Sequence, residues 1–490
     1  MRAETAHTGL RVIMGVLGFA LYWPTLRQFE FAAVLGGYAD PAQANRGALL
    51  AVLVALAALC VGAVLLRRRV EPLFAKPSAA PAVLCCAGTL GAFLLTLAPG
   101  LGGFEPLAFG LGAAAVALGY VALTLAWASS LLAMDGRSAL LVMVIGYAFG
   151  SLAPLTDLAS QRAALGFTLL APVGSAVAWL LCRPDGVSVG RAPDYSLGGL
   201  RRLPLLLVVM IAIFLFAGRV TVGAFVSLEA QIALLVRVVD VAVAFGFMGV
   251  MLVLIRGKGP EDWAPSIKVA WVLLALMAIA GMLLMLVGLP RYFVVGEGFV
   301  AAAFNCFELL LWILLVRLAR ERALSVALLF CFVFCICKVV PVFCGKLLAP
   351  WMTALVGSPE ATGFVPLLLV LVFLLIAATF VFLAFGGAIW GGGGAEAAAP
   401  CPDGKESPGS DVPAASVPTG PVSEERVRLY GLTPRELEVM SCVLRGYSYQ
   451  KTAAEMGLSL STVQSHAKNL YRKCGVHTKD ELVEWVHGRG

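Results

Sequence analysis

LTPRELEVMSCVLRGYSYQKTAAEMGLSLSTVQSHAKNLYRKCGVHTKDELVEWV, Leu432 to Val486, is the stretch that separates this chain from an ordinary membrane protein. Thr433, Pro434 and Glu436 read as a helix start: the hydroxyl caps free N–H groups, proline suits the first turn, and the glutamate closes a capping box. Gly446 ends that helix. Ser448 caps a second, which stops at Gly457, and Ser459 caps a third. Val463, Ala467, Leu470 and Cys474 then recur at helical spacing and predict one buried stripe. Thr478 and Glu481 form another capping box before Leu482, Val483 and Val486. Four short helices joined by tight turns predict a compact helix-turn-helix unit.

The third helix carries a second face. Ser461, Gln464, Ser465, Lys468 and Arg472 are spaced to share it. No acidic residue occurs between Glu455 and Asp480, whereas Lys468, Arg472, Lys473 and Lys479 do. A helix with an apolar stripe and a polar, basic opposite face suits the major groove of DNA. Its start also offers N–H groups to phosphate. The plainer reading is a small bundle whose charges are solvated and which binds only protein.

The segment resembles the LuxR-type helix-turn-helix domain. The resemblance runs through Leu432-Thr433-Pro434-Arg435-Glu436, Glu438-Val439, Gly446, Ser448, Ser459, Thr462-Val463, His466, Lys473, Gly475-Val476 and Lys479, about an eighth of the chain. It implies sequence-specific binding of double-stranded DNA by dimers, with Thr462 to Arg472 as recognition helix. Gln464, Ser465 and Lys468 would face the groove with His466 at its edge, and Ser461, Thr462, Asn469 and Arg472 complete the set. The last helix, 479–487, is the implied homodimer contact. Two positions depart from the family pattern. Thr452 puts a hydroxyl where an aliphatic side chain usually packs, and Gln464 stands where lysine is common.

Outward from this domain the composition changes. The 490 residues are 60% apolar and 13% charged, with a mean hydropathy of +0.92, far below the roughly 25% charge of soluble domains. The fold class expected is all-α: a polytopic bundle of six plus six spans, residues 1–390, in a lipid bilayer, followed by the small domain at 424–490. Apolar segments of about 20 residues are found at 10–31, 47–66, 79–99, 107–131, 138–158, 163–182, 203–225, 230–255, 267–289, 298–318, 324–344 and 364–390. Pro24 and Arg27 interrupt the first. With the N-terminus inside, the inner loops carry fifteen basic residues, about twice the outer number, so the positive-inside rule puts both termini in the cytoplasm of a bacterial cell. No cleavable signal peptide is read. From Val422 onward ten basic residues face eight acidic ones, so the overall charge of +7 does not itself argue for nucleic acid.

The longest inner loop, Arg183 to Arg202, divides the membrane part into halves 1–183 and 200–390. This is similar in architecture to the major facilitator superfamily, although the Gly-x-x-x-Asp lead-in to Arg67-Arg68-Arg69 is missing. Residues 391–423, with seven glycines and six prolines, form a linker that reaches on the order of 30 Å as a flexible coil.

Charges inside spans are costly and mark function. Arg219, Arg237, Asp240, Asn305, Glu308 and Lys338 all fall in the second half and define a candidate pocket for a small charged ligand of unknown identity; structural ion pairs are the plainer reading. Arg237 and Asp240, three apart, are spaced to pair. Glu30, Glu105 and Asp157 lie near outer ends. Cys331, Cys335 and Cys337 lack a neighbouring His or carboxylate and read as apolar filler. No catalytic triad, phosphate loop or metal-spaced cluster occurs, so neither an enzyme nor a cofactor is expected. Two functions remain: a membrane-anchored transcription regulator that senses a ligand or membrane state, or a transporter or transporter-sensor whose tail regulates or reports on transport.

Overall fold

The computed structural model of the protein describes residues 2–27, 34–75, 77–156, 160–182, 195–196, 205–223, 230–256, 263–287, 290–345 and 364–390 of the membrane part, and 430, 432–444, 447, 449–456, 458, 460–476 and 479–486 of the tail. Contacts divide the chain into two compact units, 1–398 and 399–490, each taken by itself below. The linker 391–423, most of the loop Arg183 to Arg202, Glu30, Asp157, Gly446, Gly457 and the caps Ser448, Ser459 and Thr478 lie outside the described residues.

Every element among the described residues is a helix. The first unit contains α1 (Arg2–Arg27), α2 (Pro41–Leu65), α3 (Arg67–Ala75), α4 (Ala79–Cys85), α5 (Ala87–Leu97), α6 (Glu105–Ala133), α7 (Gly136–Gly150) and α8 (Gln161–Leu181). It continues with α9 (Leu205–Gly223), α10 (Ala230–Ile255), α11 (Ala264–Leu286), α12 (Pro290–Arg322), α13 (Val326–Phe334), α14 (Val340–Phe343) and α15 (Phe364–Trp390). Short polar residues start several of them. Asp40, Asp135 and Ser160 accept hydrogen bonds from Gln43, Ser138 and Ala163 N–H groups at the helix entrances, which satisfies donors that lipid cannot.

Nine helical runs among the described residues are long and apolar enough to cross a membrane, so the first unit is a polytopic bundle. That is fewer than the twelve crossings expected from the sequence. The first and seventh apolar segments lie in α1 and α9, whose apolar parts Gly9–Thr25 and Val208–Thr221 are not counted among the nine runs. The third and fourth form one run of 55 residues, Ala79–Ala133. It is not straight: Gly102 takes φ +54°, a conformation only glycine adopts without strain, and α5 turns back against α6.

That hairpin is held by backbone proximity. A Cβ on Gly119 would collide with the Gly88 backbone, and one on Gly91 would lie 2.5 Å from the Gly112 carbonyl oxygen. Between α11 and α12 the same device appears: a Cβ on Gly281 would sit 2.6 Å from the Gly296 carbonyl oxygen. Lipid supplies no hydrophobic drive between helices, so close approach through small residues supplies dispersion contact instead. Other packed pairs recur as well. The contacts of α2 with α6, α1 with α8 and α5 with α8 are matched by those of α10 with α12, α9 with α15 and α11 with α15. α2 meets α13 as α7 meets α10.

The tail contains α16 (Pro434–Leu444), α17 (Tyr449–Met456), α18 (Leu460–Cys474) and α19 (Lys479–Val486) around a core of its own. Val463, Ala467, Leu470 and Cys474 are all buried in it, as their spacing predicts.

Substituting Gly119→Leu or Gly296→Leu is expected to cost about 3 kcal/mol, at the upper end for overpacking because backbone faces the new side chain. Gly246→Leu and Gly249→Leu, which meet open space, are expected to leave the unfolding temperature of the detergent-purified protein unchanged. Equal unfolding temperatures for all four variants would refute the close-packed hairpins.

Candidate functional site

In the first unit the site is built on α12, a helix buried along most of its length. Asn305, Glu308 and Trp312 follow at intervals of three and four and so share one face. Glu308 is buried, and its Oε1 accepts from Lys338 Nζ at 2.5 Å and from Arg219 Nη2 at 3.2 Å. Lys338 lies in a π-helical turn, Cys335–Val339, inserted between α13 and α14. Such wide turns recur at functional sites. Asn305 Nδ2 donates to Asp240 Oδ1 at 3.0 Å, and Arg237 Nη1 donates to the Pro154 carbonyl at 3.1 Å. The structure thus joins Arg219 and Lys338 to Glu308 and Asp240 to Asn305, one turn away on α12, while Arg237 reaches the Pro154 carbonyl.

Asp240, Glu308 and Lys338 are buried, while the Arg219 side chain keeps 22% of its surface. Removing one partner of a buried ion pair typically costs about 3–5 kcal/mol, because the remaining charge is stranded. The trio is therefore interdependent, and Arg219 is its member nearest to water.

Sequence reasoning missed two features. Next to the charges lies an aromatic cluster: Phe19 and Tyr22 of α1 meet Trp312 edge-on at 5.2 and 5.3 Å, and Trp23 meets Tyr147 at 5.0 Å. The only sequence signal is the grouping of Phe19, Tyr22 and Trp23 on one helical turn. The second is Glu71, buried on α3, whose Oε2 accepts from the Ser325 hydroxyl and the Ala327 N–H at the start of α13. Burial pushes its carboxyl up, and the Ser325 hydroxyl with the Val326 and Ala327 N–H groups pulls it only part of the way back. Among the described residues no group of three His, Cys, Asp or Glu is arranged to hold a metal.

In the tail, Gln464, Ser465, Lys468 and Arg472 are exposed or half-exposed on α18, opposite the buried stripe. Thr462, His466 and Asn469 are half-buried, and Asn469 Oδ1 accepts from Arg472 at 3.2 Å. The side chain of Ser461 is outside the described residues. Lys473 turns inward instead, with its Nζ 2.7 Å from Glu436 Oε2, and ties α18 to α16. Glu436 also accepts the Thr433 N–H at 2.8 Å while the Thr433 hydroxyl accepts the Glu436 N–H at 3.3 Å, the capping box read in the sequence. Burial raises the Glu436 carboxyl, but Lys473 and the two Thr433 bonds together hold it below the ordinary carboxylate value. On α19, Leu482 is buried in the tail's own core and Trp485 meets Tyr430 at 5.2 Å. Thr452 is fully buried and its hydroxyl finds no partner, so the departure noted in the sequence leaves an unsatisfied polar group.

An all-α bundle of long apolar helices with charges in its interior defines a polytopic membrane protein, and a solved structure shares its fold. The chain is similar to the major facilitator superfamily proton:xylose symporter XylE bound to 6-bromo-6-deoxy-D-glucose, with TM-score 0.51 and 11% identity over 78% of this chain and 96% of that one. At that identity the likeness is one of fold alone. Residues 431–486 match the family profile GerE, bacterial regulatory proteins of the luxR family. The tail is 36% identical over 66 residues to the HTH-type transcriptional regulators MalT of Serratia proteamaculans (strain 568) and of Yersinia pestis (strain Pestoides F). The match takes in 14% of this chain and 7% of those proteins, so it speaks for the tail alone.

Thr452→Val is expected to raise the tail's stability by about 1 kcal/mol, the lower end of the penalty for an unsatisfied buried hydroxyl, which is several degrees in a domain of this size. A lower melting temperature would show that the hydroxyl is bonded. Because the Glu436 carboxyl is depressed in the folded state, its stabilisation is complete above the ordinary value of 4.5 and is lost as pH falls through the folded value. Denaturant melts below that pH should lose stability in the wild type and much less in Glu436→Gln; parallel profiles would contradict the assignment.

Proposed function

We propose that this chain is a transporter-sensor: a carrier-like membrane bundle that binds a small charged ligand and a tail that reads DNA and reports the ligand's presence as a change in transcription. The observation that carries the reading is the Glu308–Lys338–Arg219 cluster inside a bundle with the fold of a solute carrier. Charge is expensive in such an interior and is retained where it meets a ligand, an ion or a second charge in another conformation. The recurring helix pairs support two related halves, 1–183 and 200–390, which is how carriers build a site at the bilayer midplane. In this reading the bundle crosses the bacterial cell membrane twelve times, both termini are cytoplasmic, and residues 391–423 tether the tail.

The tail's part rests on its likeness to LuxR-type regulators and on the exposed face of α18. Gln464, Ser465 and Lys468 contact the groove, with Ser461, Thr462, His466, Asn469 and Arg472 around them, and pairing through 479–487 joins two half-sites. A membrane-anchored regulator that transports nothing is the second reading. It is favoured by the burial of Glu308 and Lys338, which places both charges out of contact with bulk water.

Proteoliposomes loaded with candidate charged solutes separate the two: saturable flux that Glu308→Gln abolishes supports the carrier reading, and ligand binding without flux leaves the anchored regulator. Genome-wide mapping of sites bound by the full-length protein tests the tail. Lys468→Ala should weaken binding to all DNA probes and reduce its salt dependence, whereas Gln464→Ala should alter base preference at about 1–3 kcal/mol per lost base contact. Equal binding of all probes by both variants would remove α18 from the groove. Topology reporters after Arg69 and at the C-terminus should read cytoplasmic and one at Gly103 external; a cytoplasmic signal at Gly103 would overturn the proposed crossings.

A further inference from the structure

Three thiols meet where α2 packs on α13. Cys60 lies near the C-terminal end of α2, Cys331 lies in α13, and Cys335 opens the π-turn. The Cys335 N–H still bonds the Cys331 carbonyl, so the two side chains stand one turn apart on the same face. The Cys60 thiol lies between them and shares a hydrogen bond with each. Both α13 and the π-turn contact α2. Along the sequence Cys331 and Cys335 read as filler because their partner comes from the other end of the membrane part.

The contacts of other thiols in this unit differ. Cys337 donates to the Val208 carbonyl at 3.9 Å, Cys182 donates to the Arg11 carbonyl at 3.4 Å, and Cys306 accepts from the Tyr147 hydroxyl at 3.5 Å. Cys85 and Cys86 are consecutive, and a trans peptide holds their Cα atoms about 3.8 Å apart, short of the roughly 4.4–6.8 Å that most disulfides span.

We infer that Cys60 and Cys335 are an oxidation site, at which a hydroperoxide converts the two thiols to a disulfide that ties α2 to the π-turn. Cys335 is half-buried, whereas Cys60 and Cys331 are 2% and 3% exposed, so the oxidant reaches Cys335 first. The Cys335 sulfur attacks one peroxide oxygen, the O–O bond breaks, and the alcohol leaves with the thiol proton. Cys335 is then a sulfenic acid. The Cys60 sulfur attacks the Cys335 sulfur, the S–O bond breaks, and hydroxide departs with the Cys60 proton as water. The two thiols lose two electrons, and the hydroperoxide is reduced to alcohol and water. A dithiol reverses the bond by exchange.

Sulfurs in hydrogen-bond contact must close to about 2.05 Å to make this bond. A cavity of about 10 Å³ beside Cys60 and Cys331, too small for a ligand, gives the Cys60 side chain room for that move. Apolar surroundings slow a thiol, so the pair records sustained exposure to peroxide rather than removing it. The π-turn also carries Lys338, which holds Glu308. The bond therefore fixes the backbone that presents Lys338. The pair stands whether or not the bundle transports a solute.

The test uses the full-length protein in nanodiscs, prepared with reductant and then freed of it, with cumene hydroperoxide as the probe. Unreacted thiols are blocked and the peptides are mapped without reduction. The expected product is a Cys60–Cys335 link within one chain that dithiothreitol reverses. It is read on the wild type, so the result does not depend on any variant folding. Cys335→Ser should lose the link and leave the Cys60 thiol unreacted at the same dose, and Cys331→Ser should keep the link. Cys60→Ser should stop at a Cys335 sulfenic acid, which dimedone captures. The oxidised wild type should unfold at a higher temperature than the reduced protein, because a cross-link that closes a long loop restricts the unfolded chain; in Cys335→Ser that difference should vanish. A Cys60–Cys331 link as the main product would overturn the part given to Cys335. Sulfenic or sulfinic acid at Cys335 with the Cys60 thiol intact, or a link between two chains, would overturn the pair. Thiols that react only after the protein is unfolded would return all three to apolar filler.

Discussion

Glu308 is the hinge of the membrane unit's electrostatics. One carboxylate oxygen holds both Lys338 and Arg219, so two cations from separate elements share a single acid on a third. None of the three tolerates burial alone, which forces α9, α12 and the π-turn to converge at one depth. That convergence fixes the neighbours as well. A Cβ on Gly218 would overlap the Phe304 ring, and one on Gly345 would strike the Arg219 backbone, so the chain leaves no room on either side of Arg219. The buried ion trio and the glycines around it are two expressions of one constraint, the close approach of helices in a solvent that offers no hydrogen bonds.

The two units solve opposite problems. The bundle must satisfy polar groups where water is absent, and it does so with Trp127, Ser175 and the Gly18 carbonyl in one chain of hydrogen bonds across α1, α6 and α8. The tail must assemble a core from very few residues. It does so with reciprocal caps, with an ion pair between α16 and α18, and with an apolar stripe along α18. Its evident defect is the unpartnered Thr452 hydroxyl.

Much of this was legible in the sequence because the signals are local. The capping box of Thr433 and Glu436, the stripe Val463, Ala467, Leu470 and Cys474, and the apolar runs of the bundle follow from spacing alone. The intramembrane charges were legible as a set, since charge is rare there. What was not legible depends on distance along the chain. The pairing of Lys338 with Glu308 needs a π-turn that no propensity marks. The Glu71–Ser325 bond joins residues far apart in sequence, and the aromatic seam needs α1 and α7 to be laid on α12.

The engagement of Lys473 by Glu436 bears on the proposed reading of DNA by a tail tethered to a membrane. Each cation that meets a phosphate displaces a condensed counterion and adds sequence-independent grip. Lys473 is occupied within its own domain, which leaves Lys468 and Arg472 as the outward cations seen on α18. If the tail reads DNA as proposed, each cation withdrawn from the outward face of α18 loosens its hold on random DNA. For a freely diffusing regulator that would slow the search along the chromosome. For one anchored in a membrane, as proposed here, it would keep passing stretches of DNA from being stapled to the bilayer and leave residence time to the specific site.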